Sequence, residues 1–241
     1  MRKTLAYAWP FIVILALVFS YHLAPHFFVS YIFQIQQREF QFVEILTFVA
    51  SSMAGGLLLL STWKFWNVGN YWSASLIGLI AIATLFFAGE EISWGQSYIQ
   101  WSTPLWWQEH FSGETNLHNS RLPIHQLAAL FMFSIFFALP LAWKFRDYVK
   151  LPLALGPAIP EGPVISALSI AIIFREIKGL YRELSPLWYK EVEIPWVELH
   201  DQFYQEFLWG MNEYREMLVA LSLLLYAGYR MAAAKRISST I

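Results

Sequence analysis

The chain has 241 residues, of which 57% are hydrophobic and only 14% charged, with a mean hydropathy of +0.44 and a formal net charge of −1. That balance excludes an ordinary soluble domain and points to a lipid bilayer. Cysteine is absent, which excludes thiolate metal sites, disulfides and cysteine nucleophiles and leaves any chemistry to Glu, Asp, His, Ser or Tyr.

Crossing a hydrocarbon core takes about 20 helical residues. The first apolar run, about 5–24, follows Arg2 and Lys3 as a secretory signal would. It lacks small residues spaced for cleavage and has Pro25 directly after Ala24, so it reads as an uncleaved signal anchor. Runs at about 41–63 and 72–92 come next, the former containing Gly55-Gly56, which permits close helix packing. A fourth run covers about 124–143. The fifth, about 162–180, is apolar for only about twelve residues before Arg175 and Glu176, so it reads as a short span or a re-entrant segment. The last covers about 209–229. Two longer segments, about 94–122 and 181–208, are rich in Trp, Glu and His and too polar for lipid. The sequence therefore predicts an all-α, polytopic transmembrane bundle of about six spans forming one integral domain over 1–241. It contains no internal repeat and no nucleotide-binding loop.

Six crossings would gather Arg2, Lys3, Lys64, Lys144, Arg146, Lys150, Arg230, Lys235 and Arg236 on one side, with only Asp147 and Glu161 opposing them. The positive-inside rule makes that side cytoplasmic, with both termini there, and the expected location is a bacterial cytoplasmic membrane. Five crossings would put "RMAAAKR" outside, against the rule. The other fifteen acids and seven bases fall on or near the outer side, an excess that topology does not require, because Asp and Glu contribute little to orientation.

Helical depth turns these acids into a pattern. At 1.5 Å per residue, Glu44 lies about 6 Å inside the outer end of the second span. Glu90 and Glu91 close the third span, and Glu213 and Glu216 sit in the first turns of the last. The segments between spans add Glu114 and His118, then Glu198, His200, Asp201 and Glu206. On a helix, Glu114, His118 and His125 would project within about 40° of one another, although Pro123 would kink or restart a helix before His125. An i, i+4 Glu and His on one face can supply two ligands to one metal, completed by carboxylates of neighbouring helices. Such a mixed set suits Zn²⁺, Mn²⁺ or Fe²⁺, with Ca²⁺ and Mg²⁺ ranked behind them; no nucleotide or thiolate-bound cofactor is expected.

Each feature also has a plainer reading. A lone glutamate at a helix end near the head groups is ordinarily solvated or structural, and Glu213 and Glu216 complement the positive N-terminal end of the last helix. His22 and His26 read as interfacial or packed polar residues, and most of the twelve Trp residues as an aromatic belt. The functional reading is favoured where Glu90-Glu91 join Glu114, Asn116, His118 and Asn119, because adjacent carboxylates at a membrane boundary either raise each other's pKa or recruit a cation.

"AGEEISWGQ", followed by "WSTP" and "GETNLHN", together with "FVEILTFVA" and "NEYREMLVALSLLLYA", resembles a family of uncharacterised bacterial polytopic membrane proteins. The likeness covers roughly 38–135 and the last span. The resemblance implies that Glu44, Glu90, Glu91, Gln96, Glu114, Asn116, His118, Asn119 and Glu213 match the family pattern, and it implies no activity.

Two functional classes follow. The first is a membrane-embedded, metal-dependent hydrolase or transferase acting on a lipid or lipid-linked substrate at the outer boundary. His118 with Glu44, Glu90, Glu114 and Glu213 supplies the candidate ligands, Glu91 the general base, and Asn116, Asn119 and Gln96 orient the reacting group or the ligands. The second is an accessory or structural subunit, or a cation- or proton-binding component, whose acidic outer surface docks partners in a membrane complex. Paired Glu-x-x-His helices of a di-iron site and a Gly-x-Ser-x-Gly elbow are missing, and no basic patch outside the cytoplasmic ends suggests nucleic acid.

Overall fold

The computed structural model describes residues 7–16, 42–99, 101–110, 124–173 and 196–238. The chain is an all-α membrane protein, and no strand occurs among the described residues. Helix α1 is described over Tyr7–Ala16, α2 spans Phe42–Asn67 and α3 Tyr71–Glu91. Short helical turns follow at Gln96–Ile99 and Leu105–His110. Helix α4 runs Ile124–Phe133, continues through a π turn at Ser134–Ala138, and passes into α5, Leu139–Lys144. A 3₁₀ segment covers Leu153–Ala158, α6 is described over Gly162–Ile173, and α7 covers Trp196–Ser238.

Among the described residues, four stretches are long and apolar enough to cross a membrane: Val43–Asn67, Tyr71–Glu91, Gln126–Lys144 and Glu213–Ile237. A helix is the form this sequence must take there, because only i→i−4 bonding satisfies every backbone group in hydrocarbon. These match the expected spans at 41–63, 72–92, 124–143 and 209–229. Only parts of the runs expected at 5–24 and 162–180 lie within the described residues. One feature of the polar segments differs from expectation. From Trp196 onward the segment expected over 181–208 is already helix, continuous with the last span, so that α7 is 43 residues, about 64 Å, long.

The chain divides into two compact units, Met1–Leu46 with Ser166–Val219 and Thr47–Ile165 with Ala220–Ile241. The second contains most of α2 and all of α3, an antiparallel pair forced by a three-residue connection. Gly69 adopts φ +75°, the Asn70 N–H donates to Phe65 O at 2.9 Å, and the Asn70 side chain caps α3 by accepting from the Ser73 N–H at 3.2 Å. Small residues set the packing distance. A Cβ on Gly55 would lie 2.5 Å from the Leu85 side chain, and one on Gly78 would lie 3.3 Å from Thr62 Cγ2. The expected role of Gly55-Gly56 thus falls to Gly55 alone; Gly56 is exposed and meets nothing within 4 Å.

Around α4 and α5 the π turn has a chemical reason. Pro140 offers no N–H to the preceding turn, and the widened turn accommodates that loss without breaking the helix. The 3₁₀ segment then ties several helices together. Its Ala154 carbonyl accepts from the Ser73 hydroxyl at 2.5 Å, its Ala158 carbonyl accepts from the Tyr226 hydroxyl at 2.7 Å, and the Trp143 ring lies over Gly156. Beside it the buried Arg230 guanidinium pairs with Glu161 and stacks on the Tyr226 ring, 5.0 Å from its centroid.

Candidate functional site

Helix α3 ends inside the motif "GEEISWGQ", and the backbone explains why these residues occur together. The Ile92 N–H donates to Gly89 O at 3.3 Å, and the chain then takes three successive left-handed residues, Ser93 (φ 45°), Trp94 (φ 55°) and Gly95 (φ 83°). Ser and Trp are costly in that region, so other contacts must hold the turn. Trp94 folds back over Gly89, where a Cβ would come within 2.7 Å of its ring, and meets Phe86 edge to face at 5.4 Å. Its indole Nε1 donates to Glu90 Oε1 at 2.6 Å, and Glu90 is only 4% exposed.

Beyond the turn, Gln96 braces the motif against "WSTP". Its Nε2 donates to Thr103 Oγ1 at 2.6 Å and to Trp101 O at 3.3 Å, while Gln108 Nε2 donates to Thr103 O at 2.8 Å. Thr103 is buried under these contacts. The two motifs are therefore one structural device, a left-handed reversal locked by an indole, a carboxylate and two amides.

The second group of carboxylates belongs to the other unit. Glu44 lies in the first turn of α2, and Glu213 and Glu216 lie three residues apart on one face of α7. Glu213, Glu216, Glu44 and Arg215 are all half-buried. The charges of Glu216, Glu44 and Arg215 all act on Glu213. Arg215 Nη2 lies 3.3 Å from Glu216 Oε1, so part of the negative charge is already matched. Within this unit, Glu213 and Glu216 place carboxylate oxygens within 4.8 Å of each other, close enough to share an ion.

The chain matches no family model, no curated protein and no solved structure.

Of the residues singled out by sequence, Glu44, Glu90, Glu91, Gln96 and Glu213 are described. Glu114, Asn116, His118 and Asn119 lie outside the described residues, as do His22 and His26 and the side chains of His125, Glu198, His200, Asp201 and Glu206. Glu90 accepts from the Trp94 indole and so holds the turn after α3. Glu216, which by sequence shares the first turns of the last span with Glu213 and complements the helix end, lies on the same face through its i, i+3 relation to Glu213. That spacing was the available signal. The described donors are carboxylate oxygens, a set suited to a hard divalent cation; softer metals would call on His118 as well.

Proposed function

We propose that Glu213 centres a divalent-cation site in a multi-pass membrane protein, and that the site serves a metal-dependent hydrolase or transferase acting on lipid or lipid-linked head groups. The observation that carries this reading is the environment of Glu213: further carboxylates, Glu44 and Glu216, act on it with Arg215 as the opposing cation, all at the start of an apolar helix. Carboxylates so close in a half-buried setting repel one another, and a divalent cation or shared protons relieve that repulsion. Glu213 and Glu216 are the proposed ligands, with Glu44 adjusting the charge and His118 and Glu114 as candidates to complete the shell. A bound cation would acidify its water, and a carboxylate outside the coordination shell would take the proton during attack on a phosphoryl or acyl centre. Glu90 and Gln96 act here as positioning residues, because their polar atoms hold the turn that follows α3.

The Arg215–Glu216 pair supports a second reading, a proton-binding or partner-docking component that needs no metal, because it matches part of the charge within the chain. Manganese binding followed by electron paramagnetic resonance, on protein purified in mild detergent without chelator, separates the two. About one Mn²⁺ per chain, lost in Glu213→Gln and in Glu216→Gln, supports the metal site. No binding at millimolar Mn²⁺ by the folded wild type rejects it and favours the second reading.

A further inference from the structure

The strongest charge asymmetry within one unit lies at the opposite end of α3 from Glu90. Lys64 occupies the last turn of α2, Lys144 ends α5, Arg146 and Lys150 flank the next helical turn, and Lys235 and Arg236 lie in the last turn of α7. The tertiary contacts put them at one level. Phe136 and Tyr226 meet edge to face at 5.4 Å, and Lys144 and Lys235 lie about 12 and 14 Å further along their respective helices. The 3₁₀ segment binds the start of α3 through Ser73 and α7 through Tyr226, closing the group. The acids described here are already engaged: Asp147 lies 3.8 Å from Arg146 Nε, and Glu161 pairs with the buried Arg230.

Large amphipathic aromatics share this end. Trp66, Tyr71 and Trp72 stand exposed around the α2–α3 turn, and Tyr148 stands exposed between Arg146 and Lys150. Apolar Leu141, Val149 and Leu153 are exposed among the bases. An acidic soluble partner would account for the charge, but not for aromatic rings and aliphatic side chains interleaved with it beside membrane-length apolar helices. A lipid leaflet with anionic head groups matches both features, since Trp and Tyr settle at the head-group level and basic residues gain from the negative surface potential.

We propose that this end is a binding surface for anionic phospholipids, with Lys64, Lys144, Lys150, Lys235 and Arg236 engaging phosphodiester groups while Trp66, Tyr71 and Trp72 fix its depth. The surface is independent of the carboxylate site.

The test is native mass spectrometry of the full chain released from nonionic detergent in the presence of equal phosphatidylglycerol and phosphatidylcholine. The proposal expects adducts dominated by phosphatidylglycerol. In the Lys144→Gln/Lys150→Gln/Lys235→Gln variant that preference should fall by about fivefold for each charge removed. It should also weaken at high salt. Should the triple variant fail to assemble, the three single variants, each at an exposed position, read the same loss in steps. Equal retention of the two lipids by the wild type, or a preference untouched by these substitutions, overturns the proposal and leaves the basic end to an acidic protein.

Discussion

Trp94 Nε1 donates to Glu90 Oε1 at 2.6 Å, joining the last turn of α3 to a residue in left-handed conformation four positions later. The buried carboxylate gains a donor and the strained turn gains an anchor from the same contact. Trp94→Phe keeps much of the ring but removes the N–H, and should cost about 1–3 kcal/mol. Thermal unfolding in detergent, followed by loss of monodisperse protein, measures it. An unchanged midpoint would mean that the bond contributes nothing to the turn.

Gly89 is required because the Trp94 ring occupies the space where its Cβ would stand. Gly89→Ala should therefore destabilise by about 1–3 kcal/mol, although alanine is the better helix former. Adding Trp94→Ala removes the clash, so the double variant should be less destabilised than the sum of the two single variants. Simple additivity in that cycle would contradict the packing described.

Adjacent glycines in α2 provide an internal control. Gly55→Ala must displace Leu85 and should lower stability by about 1–3 kcal/mol, whereas Gly56→Ala meets open space and should stay within about 0.5 kcal/mol of wild type. Equal effects at both positions would argue against the α2–α3 contact.

Arg230 is among the largest fully buried side chains, and Glu161 supplies its counter-charge. Glu161→Gln leaves a buried cation without that partner and should destabilise by about 1–3 kcal/mol, less than for a fully buried pair because Glu161 is partly exposed. The combined Glu161→Gln/Arg230→Met variant should recover much of the loss, because no isolated charge remains. A double variant as unstable as Glu161→Gln would mean that shape and the Tyr226 stacking, not charge balance, hold this end together.

Much of the architecture was legible because it follows from one-dimensional properties. Apolar runs longer than the hydrocarbon thickness must be helices, and their limits agree with α2, α3 and the α4–α5 pair within a few residues, while the last span ends eight residues later than expected, at Ile237 rather than 229. The paired motifs were visible as unusual, but their meaning was not. "GEEISWGQ" reads as an acidic cluster, and nothing in its spacing shows that one of its glutamates serves the indole four residues on. A left-handed turn built from Ser and Trp defies local propensity, so only the fold could reveal it.

What the sequence by itself determined is the medium, the helical class, the places of the membrane-length runs and the concentration of basic residues at certain helix ends, because hydropathy and charge act on each segment independently. The tertiary structure decided which of two neighbouring side chains does what. Glu90 turns to Trp94, Gly55 packs and Gly56 does not, because these choices depend on what stands opposite each side chain, which no local pattern encodes.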